Sequence, residues 1–216
     1  MVTRPGVDLQ TPGVAGSLLG MPEWDPAAAR DTELWSTIDI TVDRVSTQSL
    51  EWFSYSRSMQ VAGSTRMATA ADTNVLLPGR MPQGDRFEVR AWRARATASR
   101  SLMRTDAWWA WCATVAIRFD YNDRTVTMWT LDELLRAPRP RHDYASPGTF
   151  NPAIVLLEHL NYCVRFEPQN PPTPAFQAAL LDSVADDPMN AVVAAKDWAP
   201  IKIRCYLRGL RWQGVC

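Results

Sequence analysis

Short segments in which apolar and polar residues alternate recur along this chain, and they constrain its fold more than any other feature. Ile38, Ile40 and Val42 alternate with polar residues, and the segment from Tyr162 to Phe166 repeats the pattern. An apolar residue at every second position places the apolar side chains on one face of a β-strand. Turn-forming residues separate the segments, so the pattern predicts antiparallel strands rather than alternating strand and helix units.

The last alternating segment, IKIRCYLRGLRWQGVC from Ile201 to Cys216, carries apolar residues on one face and basic residues on the other. The predicted outward residues are Lys202, Arg204, Tyr206 and Arg208. Glycine at position 209 predicts a β-bulge, after which Leu210 and Trp212 take over the inward face.

A basic segment, RFEVRAWRARATA, begins at Arg86 and reverses its alternation at Trp92, which predicts a second bulge. Three readings of its arginines stay open. An arginine stripe with an aromatic residue is able to bind single-stranded nucleic acid. A contact between subunits or a solvated face is favoured over nucleic-acid binding. The candidate residues for the subunit contact, from the two segments, are Arg90, Trp92, Arg93, Arg204, Tyr206 and Arg208.

A hairpin and a short helix are predicted in the middle of the chain. In WCATVAIRFDYNDRTVTMW, the residues YNDR form the turn, because Asn and Asp tolerate the positive φ of tight hairpin turns. Thr130 and Glu133 form a capping box that starts a helix limited by Pro138. The segment 153–160 fits either a helical turn or a strand.

The organisation predicted from these segments is one β domain behind an arm. Residues 1–32 contain several prolines and glycines without a period, which predicts an extended N-terminal arm. Residues 33–216 are predicted to form a single antiparallel β-sandwich of about eight strands with short helices. An apolar fraction of 46% in 216 residues suffices for one sizeable core.

The balance of basic and acidic residues indicates which kinds of partner the chain is suited to bind. The 23 basic and 23 acidic residues give a formal net charge of zero, which argues against a general nucleic-acid binder. Self-repulsion keeps monomers apart, so a neutral chain suits a protein that assembles. Ten tryptophans are compatible with interface cores and with ordinary β-cores.

Residues for enzymatic chemistry are sparse. The chain contains no GxGxxG, GxxxxGK[ST], HExxH or GxSxG motif, and its four cysteines show no CxxC spacing. Cys163 with His159 is a conceivable nucleophile pair, and His142 next to Asp143 a conceivable base, but a structural role is favoured for each. The prediction is a protein without catalytic residues, cofactor, metal or small-molecule substrate.

The alternative function is a β-sandwich module that binds carbohydrate or another ligand. Trp108, Trp109 and Trp111 lie in the run WWAW, and exposed tryptophans at these positions would stack on sugar rings. On a strand, Trp109 and Trp111 would share one face.

Four stretches occur in a suggestive order: the hairpin, WTLDELLRAP, IVLLEHLNYCVRFEP and the closing IKIRCYLRGLRW. In this order the chain resembles the jelly-roll capsid proteins of tailless icosahedral bacteriophages, including tectivirus-like and sphaerolipovirus-like shells. The resemblance covers about residues 74–216. It implies a single jelly roll that self-assembles with other virion proteins into an icosahedral shell in the host cytoplasm. It implies no catalytic residue and no sequence-specific nucleic-acid contact, and it leaves open an internal membrane.

Overall fold

A computed structural model describes residues 28–41, 49–136, 148–185 and 199–213. The strands in these ranges are β1 (Arg30–Ile40), β2 (Leu50–Trp52), β3 (Arg86–Thr97), β4 (Val115–Tyr121), β5 (Arg124–Thr130), β6 (Thr149–Leu157), β7 (Tyr162–Pro168) and β8 (Ile201–Trp212). The helices are α1 (Arg100–Met103), α2 (Asp106–Ala113), α3 (Leu131–Arg136) and α4 (Pro174–Ala185). None of these helices is long and apolar enough to cross a membrane.

The strands form two four-stranded antiparallel sheets packed face to face. Sheet A has the order β1-β8-β3-β6, and sheet B has the order β2-β7-β4-β5. The alternating apolar residues of both sheets fill one core, as expected when each sheet has one apolar face. The predicted antiparallel β-sandwich is therefore confirmed.

Strand β8 shows how the sequence pattern builds this core. Ile201, Ile203, Cys205 and Leu207 are buried, whereas the residues between them are partly or fully exposed. The alternation predicted for this part of the strand is confirmed. Across the core, the indole Nε1 of Trp52 in sheet B donates a 2.9 Å hydrogen bond to the carbonyl oxygen of Ile203.

The bulge near the end of β8 lies in its neighbour β3. Val89 pairs with Gly209 and Ala91 pairs with Arg208, so Arg90 is the extra residue, while β8 stays in continuous register with β1. The predicted reversal in β3 is confirmed, but the predicted reversal in β8 is wrong. Gly209 is needed because a Cβ there would lie 1.8 Å from the carbonyl oxygen of Glu88.

The predicted hairpin and capped helix are both present. Asn122 and Asp123 connect β4 to β5 with φ values of 49° and 60°, as a tight hairpin turn requires. Thr130 Oγ1 accepts a 3.3 Å hydrogen bond from the backbone N–H of Glu133, and Glu133 Oε2 accepts one of 2.7 Å from the N–H of Thr130. The ambiguous segment after residue 153 belongs mostly to strand β6.

The run WWAW lies in helix α2, which corrects its placement on a strand. Thr105 caps the helix, and its side chain accepts a hydrogen bond from the backbone N–H of Trp108. Three-residue spacing places Trp108 and Trp111 on the same face of a helix, and both are buried. Their rings contact Phe176 of α4, with centroid distances of 6.5 and 4.7 Å.

A long segment, residues 53–85, connects β2 to β3 and packs along β1. This β2–β3 connection is hydrogen-bonded to β1. The backbone N–H of Asp39 donates to the carbonyl oxygen of Ala62 at 2.9 Å, and the backbone N–H of Trp35 donates to Asn74 Oδ1 at 2.7 Å. It has a small apolar cluster of its own, formed by Tyr55, Val61 and Ala68. The connection covers the free edge of β1, which would otherwise expose unpaired backbone groups.

Candidate interface on the outer face of sheet A

Strands β1, β8 and β3 align polar and aromatic side chains in rows across the outer face of sheet A, the face turned away from the core. Side chains that pair directly across neighbouring strands point to the same face. One row contains Trp35, Tyr206 and Arg93, and the next contains Thr37, Arg204 and Arg95. Tyr206, Arg204, Arg208 and Arg93 therefore share this face, as the sequence pattern predicted.

Three arginines of the predicted interface are ion-paired within the chain. Their nitrogen-to-oxygen distances are 2.8 Å for Arg208–Asp31, 3.2 Å for Arg93–Glu33 and 2.9 Å for Arg90–Glu88. The hydrogen bond from Arg208 holds the pKa of Asp31 below its ordinary value. Exposed ion pairs such as Arg208–Asp31 and Arg93–Glu33 contribute about 0–1 kcal/mol each, so these two neutralise the face more than they stabilise the fold.

Tyr206 lies between two arginines at the centre of the face. The Arg93 guanidinium carbon lies 4.5 Å from the Tyr206 ring centroid, and that of Arg204 lies 5.9 Å away. Trp35 pairs with Tyr206 from β1 and is half-buried. Tyrosine, tryptophan and arginine at the centre of a half-exposed surface are the residues enriched in protein interfaces.

Beyond Tyr206, the solvent-exposed charges of the face are cationic. Arg95, Arg204 and Lys202 form a cationic cluster there, beside the buried carboxylate of Asp39, which is bound by Arg66. Arg95 pairs directly with Arg204, and Lys202 follows on the same face of β8. Arg204 donates to Thr37 Oγ1 at 3.1 Å and to the carbonyl oxygen of Ala71, both uncharged. Among the described residues no carboxylate pairs with any of the three. Arg95 was not among the interface candidates predicted from the sequence, because only the strand register shows which residues are neighbours.

Trp92, the remaining interface candidate, belongs to the core. It is buried, and its ring centroid lies 6.0 Å from that of Phe119 and 5.8 Å from that of Phe150. The bulge at Arg90 turns Trp92 inward, so its inclusion in a subunit contact was wrong. The core position of Trp92 also removes the aromatic residue on which the nucleic-acid reading depended.

Arg86, at the start of the arginine stripe, is buried as well. Its guanidinium carbon lies 5.0 Å from the Trp212 ring centroid, and its Nε and Nη2 find no hydrogen-bond partner in the part of the chain that the structure describes. Burial lowers the pKa of Arg86, and the nearby Glu88 carboxylate opposes that effect. Trp212 is buried against Arg86 on the outer face, so it does not join the core as the sequence analysis expected.

A buried ion triad fixes the β2–β3 connection next to this face. Arg66 contacts Asp39 of β1 at 2.5 Å and Asp72 of the connection at 2.8 Å. Asp72 also accepts hydrogen bonds from the backbone N–H and Oγ1 of Thr69, at 2.9 and 2.8 Å. Burial raises the pKa of Asp72, but the bonds from Arg66 and Thr69 outweigh burial and hold it well below its ordinary value.

Within the described residues, no hydrogen bond links Cys163 to His159, the conceivable nucleophile pair. Cys163 is half-buried on β7, 3.9 Å from Asp120, and burial raises the pKa of its thiol, opposite to the activation that a nucleophile needs. His159 lies exposed in the turn before β7, and His142 with Asp143 lies outside the described residues. Within the described ranges, no group of three or more His, Cys, Asp or Glu side chains is arranged to hold a metal ion.

The tryptophans proposed to stack on sugar rings are not available as a platform. Trp108 and Trp111 are buried between α2 and α4, and Trp109 is half-buried with the Arg136 guanidinium 4.4 Å from its ring centroid. These positions remove the feature that motivated the carbohydrate-binding alternative. Comparisons with protein-family models, curated proteins and solved structures gave no match for this chain.

Proposed function

We propose that this chain is a structural subunit of a viral shell, folded as a single jelly roll, that assembles with copies of itself and with other virion proteins. The observation that carries the proposal is the order of strands in the two sheets. The strand pairs are β1 with β8, β2 with β7, β3 with β6 and β4 with β5. This nested pairing is what results when one long antiparallel hairpin is wrapped into two four-stranded sheets.

An eight-stranded double-sheet roll is a frequent architecture of viral capsid proteins, and lectins and cupins use it too. The fold therefore narrows the function without fixing it, and the choice depends on the surfaces and sites. The outer face of sheet A carries half-exposed aromatic and arginine residues, which favours a protein contact.

Exposed apolar residues elsewhere on the chain also support assembly. Large apolar side chains that are more than 40% exposed include Met59, Met67, Leu76, Val126 and Met128. Two of them, Val126 and Met128, lie on β5, which is an edge strand of sheet B. Apolar side chains that are scattered singly over a surface are normal, but neighbouring ones form an apolar patch, which marks a contact site. An edge strand with such a patch also offers unpaired backbone groups to a partner.

Assembly of the purified protein is the direct test. Analytical ultracentrifugation over a wide concentration range measures the size of the species, and negative-stain electron microscopy records their shape. We expect closed particles or defined oligomers whose population rises with concentration. A protein that stays monomeric at every concentration and ionic strength, alone and with the other proteins of its virion, would rule out the shell function.

A further inference from the structure

We propose that the cationic cluster of Arg95, Arg204 and Lys202 binds carboxylates of a second copy of this chain, at the helical layer formed by α2 and α4. This inference rests on the proposed assembly function and specifies which two surfaces meet. It also moves the contact away from the ion-paired arginines Arg90, Arg93 and Arg208 that the sequence pattern favoured.

The cationic cluster carries an electrostatic cost in the isolated chain. Side chains directly opposite each other on neighbouring strands have Cβ atoms about 5 Å apart, and like charges in that arrangement destabilise a sheet. Arg95 and Arg204 are such a pair. Lys202 pairs on β1 with Asp39, but the Asp39 side chain is only 1% exposed and is bound by Arg66. An external anion would relieve this repulsion.

The cationic cluster differs from the rest of the same face, where the arginines are ion-paired. Each of Arg90, Arg93 and Arg208 lies within 3.2 Å of a carboxylate oxygen of its own chain. Arg95 and Lys202 are exposed, and the described residues offer them neither an ion pair nor a hydrogen bond. The cationic charge of the face is thus concentrated at one end, next to the half-exposed rings of Tyr206 and Trp35.

Charge complementarity identifies the surface that binds to the cationic cluster. In the described part of the chain, the carboxylates of Asp106, Asp123 and Asp182 make no hydrogen bond and no ion pair. Asp106 begins α2 and Asp182 lies on α4, two helices that pack through Trp111 and Phe176. Next to Asp182, Leu181 is 55% exposed, so this helical layer offers an apolar residue beside an unpaired carboxylate.

The net charge favours a second copy over a polyanion. A general nucleic-acid binder usually has a net basic charge in addition to a basic patch, and this chain has a net charge of zero. A neutral chain with unpaired cations at one place and unpaired carboxylates at another is complementary to itself. Contacts between two different surfaces of identical chains are heterologous, and they generate closed rings when the rotation between copies closes.

Charge reversal tests the contact. In the R95E/K202E variant the cluster would repel the carboxylates of α2 and α4, and we expect the concentration needed for half-assembly to rise at least about tenfold. The matched control is R30E/R57E, which changes the net charge by the same amount at two exposed arginines outside the cluster and outside strand β5. Circular dichroism and urea unfolding establish that both variants are folded. The control is expected to assemble like the unmodified protein.

The reciprocal reversal identifies the occupant. Adding D106R/D182R to R95E/K202E is expected to restore assembly, whereas D106R/D182R alone is expected to weaken it. The contact is not between these surfaces if R95E/K202E assembles normally, or if the variant with all four substitutions stays dissociated. In either case, assembly of the unmodified protein still supports the shell function. A single-stranded oligonucleotide that binds the unmodified protein and not R95E/K202E would overturn the inference in favour of nucleic acid. An unmodified protein that never assembles would overturn the inference and the shell function together.

Discussion

Replacing Arg66 with methionine is expected to destabilise the fold more than any exposed arginine substitution, because Arg66 holds two carboxylates in place. Its guanidinium contacts Asp39 through Nε and Nη2, at 2.5 and 3.0 Å, and Asp72 through Nη1 and Nη2, at 2.9 and 2.8 Å. The side chains of Asp39 and Asp72 are only 1% and 10% exposed. Without Arg66, two poorly solvated negative charges would face each other.

Breaking a buried ion pair by removing one partner costs about 3–5 kcal/mol, because the remaining charge is left uncompensated. We therefore expect R66M to lower the free energy of unfolding at neutral pH by about this amount. Urea unfolding followed by tryptophan fluorescence measures it. The control is R57M, an exposed arginine of the same β2–β3 connection, for which a change within about 0.5 kcal/mol is expected.

The source of the penalty can be checked by neutralising the carboxylates. Because the cost comes from uncompensated charge, adding D39N/D72N to R66M should recover part of the lost stability. A loss in R66M no larger than that of R57M, or a further large loss in the triple variant, would refute the charge argument.

The same triad predicts an acid dependence. The pKa of Asp72 is held well below its ordinary value of 3.8, so the folded protein binds that proton less readily than the unfolded chain. The triad's contribution is therefore complete above the ordinary aspartate pKa and is lost as the pH falls below it. The stability difference between the unmodified protein and R66M should narrow below about pH 4, and a constant difference would contradict the assignment.

Three further substitutions test local features of the sandwich. Gly209→Ala forces apart the backbones of β8 and β3, and we expect a loss of at least about 1–3 kcal/mol in urea unfolding; a neutral effect would contradict the close approach. Thr130→Ala removes the helix cap and should cost about 0.5–2 kcal/mol in the same assay, with no loss if the cap were absent. Ser36→Cys places a thiol opposite Cys205, so refolding under oxidising conditions should join them; Thr37→Cys, on the other face, should not form that disulfide.

The alternation of apolar residues carried most of the fold prediction, because it depends only on which face of a strand is buried. It was reliable for β7 and for most of β8, whose buried faces read directly from the sequence. It failed at Gly209, because a glycine marks a close backbone approach without telling which strand bulges. Val89 pairs with Gly209 and Ala91 pairs with Arg208. This register depends on both strands, so the pattern of one segment alone does not predict it.

The run WWAW was misplaced because its neighbours in sequence favoured a strand. The cap at Thr105 and the acidic residue after it were available signals for a helix start. Tryptophan residues three positions apart then fall on one helical face, where Trp108 and Trp111 meet Phe176. A search for capping residues before each apolar run would have found α2.

The candidate interface illustrates why composition alone located only part of it. Arginines in β3 and β8 looked equivalent in sequence. Arg90, Arg93 and Arg208 have carboxylate partners in their own chain, whereas Arg95 has none among the residues that the structure describes. Partners such as Asp31 lie far away in sequence and become neighbours only through the pairing of β1 with β8. The net charge of zero does not show which charges are ion-paired, because paired and unpaired charges contribute equally to the sum. The exposed charges that the folded chain leaves unpaired are therefore more informative about the proposed contact than the net charge is. Those are the charges that gain a partner when a second copy binds.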